Sequence, residues 1–187
     1  MLRKLVLPAV LLLGMNANAS ERESEYFGHT GLIGVEVGYM GTEYQSYNGT
    51  DINNQPILEK DNKSSASLGL KMGGESEFYR VFVEGRYWSV SPYNDAFTIG
   101  GALQYLIPLN NKMNIFLGIN GGAMYLDSGS DPYAGGDAGM NFDLTETMYL
   151  EAGARYSNVF IDSNEDNKVD YFYQAYVSII FKFTGAY

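Results

Sequence analysis

Residues Phe78 to Ser89 read F-Y-R-V-F-V-E-G-R-Y-W-S. Side chains alternate faces along a strand, which puts Arg80, Glu84 and Arg86 on one side and Tyr79, Val81, Val83, Gly85 and Tyr87 on the other. One face carries three charges and the opposite face none. In a soluble β-protein the charged face meets water. Here the same division recurs along the chain behind an export signal. The expectation is therefore inverted, with the uncharged face against lipid and the charges inside a barrel.

The export signal is read from Arg3 and Lys4, the apolar run Leu5 to Leu13, and the small residues Ala17-Asn18-Ala19. It predicts a cleaved signal peptide over 1–19, with cleavage between Ala19 and Ser20. An apolar run interrupted by Pro8 is too short to span a bilayer, which takes about 20 residues as a helix. No later run is long and apolar enough either, so the mature chain is soluble after export or a β-barrel. Residues 20–29 are expected to form a short periplasmic segment and 30–187 the barrel domain. Without the signal the net charge is −12, which argues against nucleic acid as a partner. The absence of cysteine excludes disulfides and thiolate metal sites. Sixteen Tyr, 10 Phe and 22 Gly fit a tightly turned β-structure with aromatic belts.

Period-two alternation between turn residues predicts eight strands, making an all-β, antiparallel up-and-down transmembrane barrel. They are Thr30 to Gln45, Ser64 to Gly73, Phe78 to Ser89, Ala96 to Ile107, Met113 to Leu126, Ala134 to Phe142, Met148 to Ser157 and Asp170 to Phe183. Long polar loops are expected at Ser46 to Lys63 and Asn158 to Val169, and shorter ones around Pro92 and Pro132. Tight turns are expected at Gly73 to Glu77, Pro108 to Lys112 and Asp143 to Thr147. Outer-membrane barrels keep short turns in the periplasm, so both termini are expected there.

The inward parity collects Glu36, Lys71, Arg80, Glu84, Arg86, Asp137, Glu151, Arg155 and Lys182. Charges taken from water must be paired, so an ionic network is expected to fill the lumen, with Glu84 or Glu151 between arginines. Phe82, Phe116, Tyr149, Phe172 and Tyr176 share that parity and take further volume. An eight-stranded barrel has room for little beyond its own side chains, which argues against a diffusion pore. On the outward parity, aromatics should gather in two girdles. Tyr39, Tyr87, Phe97, Tyr125, Tyr156 and Tyr171 fall at the external end, and Tyr79, Tyr105, Phe142, Phe181 and Phe183 at the periplasmic end.

With these faces assigned, the chain resembles the small eight-stranded Gram-negative outer-membrane barrels, the OmpA transmembrane domain, OmpX and opacity-like group. The likeness covers Thr30 to Phe183 and is architectural. Its most family-like stretch is the hairpin G-M-N-F-D-L-T-E-T-M-Y-L-E-A-G-A-R-Y, Gly139 to Tyr156. The strand Y-Q-A-Y-V-S-I-I-F-K-F also looks like the closing signal read by the barrel assembly machinery, although T-G-A-Y follows Phe183. The resemblance is to the short members, without a peptidoglycan-binding domain. It implies outer-membrane lipid and lipopolysaccharide as surroundings, and a monomer.

Catalytic signals are sparse. Acyl chemistry needs an activated nucleophile, usually with a histidine base, and the only histidine is His29, before the first strand. Asp162, Asn164 and Asp166 have the spacing of the first three calcium-loop ligands, but Asn167 and Tyr173 stand where Gly and Glu are required, which favours a solvated acidic loop. No cofactor is expected. The external loops sum to −6 and suit a surface ligand or divalent bridging to lipopolysaccharide. The leading expectation is a non-enzymatic outer-membrane barrel that is structural or presents its loops for adhesion. Alternatives are a narrow channel and a lipid A-modifying enzyme. A soluble lipocalin-like carrier would need the opposite faces.

Overall fold

The computed structural model describes residues 30–50, 56–89, 95–126, 129–160 and 167–184. The expected signal peptide with Ala19 and Ser20, the segment 20–29 with His29, the loop expected around Pro92, and Asp162, Asn164 and Asp166 lie outside the described residues.

Eight strands, β1 (Thr30–Thr50), β2 (Pro56–Glu75), β3 (Tyr79–Ser89), β4 (Asp95–Asn110), β5 (Met113–Leu126), β6 (Gly129–Thr145), β7 (Met148–Val159) and β8 (Asn167–Thr184), close into one antiparallel barrel. Each pairs with its sequence neighbours, and β1 closes on β8 from Thr30 opposite Thr184 to Ser46 opposite Asn167. Closure removes the open edges that lipid will not tolerate, because a buried backbone N–H or C=O there finds no water.

The register fixes the size of the tube. Paired residues traced from Ile33 pass through Met72, Val83, Gly101, Gly121, Ala134, Asn158 and Tyr171 and return to β1 at Glu43, ten positions along. With eight strands about 4.8 Å apart and a rise of about 3.3 Å per residue, that stagger gives a tilt of about 40° and a backbone radius of about 8 Å. Opposing side chains inside such a tube meet at its axis.

Several expected boundaries are corrected. Ser46 to Lys63 is not mainly a loop. The β1–β2 ladder continues through Ser46 opposite Glu59 and Tyr47 opposite Leu58. Beyond the apolar band both faces of a ribbon meet water, so the ladder persists there without the alternation by which strands are recognised. For the same reason β6 begins at Gly129 and β8 at Asn167. Pro132, expected in a loop, lies within β6, where its carbonyl accepts the Phe160 N–H at the last contact with β7. Strands also consume most of the expected tight turns, leaving 76–78, 111–112 and 146–147. Pro108 falls inside β4 beside a register irregularity, and Phe78 belongs to the bend before β3.

Candidate functional site

Side chains at the inward parity pack in layers. The middle layer is ionic, and Glu36 on β1 is its hub. Glu36 is ion-paired with Lys71 Nζ at 3.0 Å and Arg86 Nε at 3.3 Å, and accepts hydrogen bonds from both terminal nitrogens of Arg155 at 3.1 and 3.2 Å. Glu151 is held by Lys71 at 2.9 Å and by Arg80, while Glu84 pairs with Arg86 and stands 3.8 Å from Arg155. Glu84 thus lies between two arginines and Glu151 between an arginine and a lysine. All seven residues are buried. Asp137, also buried, differs: it accepts the Gln104 side-chain amide, and Gln104 in turn accepts Arg80 Nε at 2.5 Å. The belt holds four acids and four bases.

Aromatic faces complete the cradle. Arg80 lies 4.6 Å from the Phe116 ring centroid and Arg155 lies 4.2 Å from that of Tyr176, distances at which a guanidinium is attracted to the ring. Inward glycines make room for these rings. A Cβ at Gly153 would stand 2.7 Å from Tyr176 Cζ and 3.0 Å from Phe116 Cζ.

Lys182 sits lower, at the mouth that carries the tight turns. Its Nζ is 2.9 Å from Asp143, 3.8 Å from Glu75 and 4.9 Å above the Tyr149 ring. Sequence reasoning missed Glu75 and Asp143 because it placed both in turns. Their parity with Lys71 and Asn141 was the available signal.

At the opposite, long-hairpin end, Met40, Trp88, Met124, Tyr133, Val169 and Phe172 form an apolar layer. Trp88 and Tyr133 pack on Phe172 at centroid distances of 5.6 and 5.2 Å. Of these only Phe172 was singled out from the sequence. The others were legible by parity, Trp88 directly from the alternation of Arg80, Glu84 and Arg86.

On the outside, Tyr39, Tyr87, Phe97, Tyr125 and Tyr156 ring the long-hairpin end and are exposed. Phe97 is opposite both Tyr87 and Tyr125. Tyr79, Tyr105, Phe142, Phe181 and Phe183 ring the other end, with Tyr79 and Tyr105 edge to face at 5.3 Å. Tyr171 is half-buried, stacks on Tyr156 at 5.3 Å and donates to Glu43 at 2.9 Å. Between the rings, no described outward side chain is charged.

Above the upper ring, β8, β1 and β2 continue as a three-stranded sheet. Lys60 on β2 bridges Glu43 on β1 at 2.6 Å and Asp170 on β8 at 3.3 Å. The Lys60 hydrogen bond, helped by Tyr171, holds the Glu43 carboxyl below its usual range, and Glu43 in turn raises the Lys60 ammonium. The last pair between β2 and β3 is Ser67 with Trp88, so Pro56 to Ala66 has no described strand on that side. Among the described residues no group of three or more metal-ligating side chains is assembled.

No known protein-family model matches the chain. No curated protein sequence matches it either. Among solved structures, Neisserial surface protein A superposes with a TM-score of 0.60 at 14% identity, covering 83% of this chain and 98% of that one. Outer membrane protein H of P. aeruginosa gives a TM-score of 0.49 at 19% identity, covering 80% and 99%. In strand number, closure and surface distribution, the chain has the fold of a small eight-stranded outer-membrane β-barrel.

Proposed function

We propose that the protein is a non-enzymatic outer-membrane barrel, sealed by its own side chains, that displays the β8–β1–β2 sheet to partners outside the cell. The observation that carries this reading is the β2 edge from Pro56 to Ala66, which has no strand on its β3 side among the described residues and rises beyond an uncharged, aromatic-ringed wall. Unpaired edges recruit extended segments of other chains by completing the backbone ladder. In this orientation the tight turns and the chain ends face the periplasm and the acidic hairpins face outward.

A second copy in the same membrane is a poor occupant of that edge. Two identical edges pairing antiparallel are related by a twofold axis normal to the sheet, and here that axis lies in the membrane plane. The second barrel would stand upside down. The fitting partner is an extended segment of a different protein.

The reading is tested by placing an epitope between Thr50 and Pro56, following its exposure on intact cells, and comparing surface binding before and after the hairpin is shortened from Ser46 to Lys60. Exposure together with loss of binding in a still-folded barrel is expected. Recovery of the protein in the soluble periplasm, or binding that survives removal of the edge, would refute it.

A further inference from the structure

The outer wall is hollowed where β7, β8 and β1 meet. A groove of about 430 Å³ is lined there by Val37, Ala152, Ala175 and Val177, and Gly38 and Gly153, which have no side chain, leave backbone as its floor. That volume lies within the roughly 300–1,000 Å³ of small-molecule clefts. The register makes the hollow. Val177 stands opposite both Val37 and Ala152, and Ala175 opposite both Tyr39 and Ala154, so small side chains lie side by side across the strands. At the upper end Tyr39 and Tyr173 flank the groove, the Tyr173 ring laid over Gly41, where a Cβ would strike it.

Above these tyrosines the same outward face turns polar. Tyr39 is followed by Gly41 and Glu43 on β1, and Ala66 by Ser64, Asn62 and Lys60 on β2. The Tyr39 and Ser64 hydroxyls are hydrogen-bonded at 2.5 Å, and Asn62, Ser64 and Lys60 are exposed. Glu43, four residues past Tyr39, stands about 10 Å higher, from a rise of ~3.3 Å per residue and the ~40° tilt. The headgroup layer adds only about 5–8 Å to each side of the hydrocarbon. A phospholipid with its chain in the groove therefore ends below Glu43 and Lys60. A saccharide headgroup reaches them.

We propose that this face binds one outer-leaflet glycolipid, with an acyl chain in the groove and its sugars along the outward side of the β8–β1–β2 sheet. Between the girdles the wall meets only hydrocarbon, which an acyl chain supplies. At the rim, Glu43 and Asp170 accept from sugar hydroxyls while Lys60 and Asn62 donate to them. One ammonium against two carboxylates, joined by the Lys60 bridges, suits hydroxyls better than a headgroup gripped through phosphate alone. A second copy is a poor occupant, because a twofold axis along the membrane normal sets the hollow against itself rather than against a ridge. The inference rests on the membrane-spanning orientation above and not on a protein partner at the β2 edge.

The test is native mass spectrometry of the folded barrel released from detergent micelles after incubation with purified lipopolysaccharide or with phosphatidylethanolamine, heat-shifted electrophoretic mobility checking the fold. One lipopolysaccharide adduct that survives release is expected, with phosphatidylethanolamine lost. The Ala152→Leu/Ala175→Leu double variant fills the groove and is expected to lose the adduct. Asn62→Leu, on the rim outside the bilayer, should weaken it with the wall intact and covers the case in which the double variant does not fold. Leu103→Ala, on the β4 wall, is expected to keep it. An adduct indifferent to both the groove and the rim substitutions, equal retention of phosphatidylethanolamine, or a dimer in place of the adduct would overturn the glycolipid site. A chain with no heat shift, recovered in the soluble periplasm, would overturn the membrane-spanning reading and the site with it.

Discussion

Glu36→Gln is expected to destabilise the barrel by about 3–5 kcal/mol, the range for removing one partner from a buried ionic cluster. Lys71, Arg86 and Arg155 all point at this carboxylate within 3.3 Å, and none has solvent to turn to. Neutralising it leaves the belt with an excess positive charge and three cations sharing what Glu84 and Glu151 supply. Asp137→Asn is the matched control: the group is similarly buried, but it accepts the Gln104 amide rather than a cation, so about 1 kcal/mol is expected. Urea unfolding in lipid vesicles reports both, followed by the fluorescence of Trp88, the only tryptophan. The double variant Glu36→Gln/Arg155→Met should recover part of the loss, because among the described residues Arg155 is ion-paired with Glu36 and Glu84 alone. Equal costs for Glu36→Gln and Asp137→Asn, both near 1 kcal/mol, would refute the view that ion pairing at Glu36 organises the lumen.

Leu70→Arg, on the outward face of β2, should cost about 2–4 kcal/mol in the same vesicles, and a neutral result would place that face away from lipid. Gly153→Ala should cost about 1–3 kcal/mol by crowding Tyr176 and Phe116, whereas outward Gly101→Ala, whose nearest neighbour would be the Phe82 carbonyl at 3.3 Å, should be tolerated; equal effects would contradict the packing described. The Glu43–Lys60 contact carries a pH signature. A carboxyl held below its usual range stabilises the folded state above that range and loses the contribution as pH falls through its lowered value. Lys60, raised, contributes below the usual ammonium range and loses it as pH rises through its raised value. Amide exchange in the β8–β1–β2 sheet should therefore quicken at both extremes, and Lys60→Met should flatten the profile; an unchanged profile would detach the sheet from this contact.

The wall was legible in the sequence because lipid is an unforgiving solvent. One misplaced arginine on β3 costs more than any local preference returns, so Arg80, Glu84 and Arg86 fix the register of their strand. The protruding sheet was not legible. Lys60, Asp61 and Asn62 are exposed on both faces of β2, and with Glu59 they make a polar run that looks like a loop. The members of the ionic belt could be named from parity, but not the central role of Glu36. Which arginine reaches which carboxylate depends on the stagger around the tube, and a single strand does not disclose it.

The seam between β1 and β8 joins the first described strand to the last, from Thr30 opposite Thr184 upward. Nearly the whole chain must therefore be in hand before the tube can shut. Until then the β1 backbone would lie bare in hydrocarbon, at several kcal/mol for each unsatisfied group. Closing so long a loop adds only slowly to the entropic cost, so the obstacle is the exposed backbone and not the distance between the ends. A half-built barrel has no comfortable place in the bilayer, and a lesion in β8 should be felt as failure to insert rather than as a weakened pore wall.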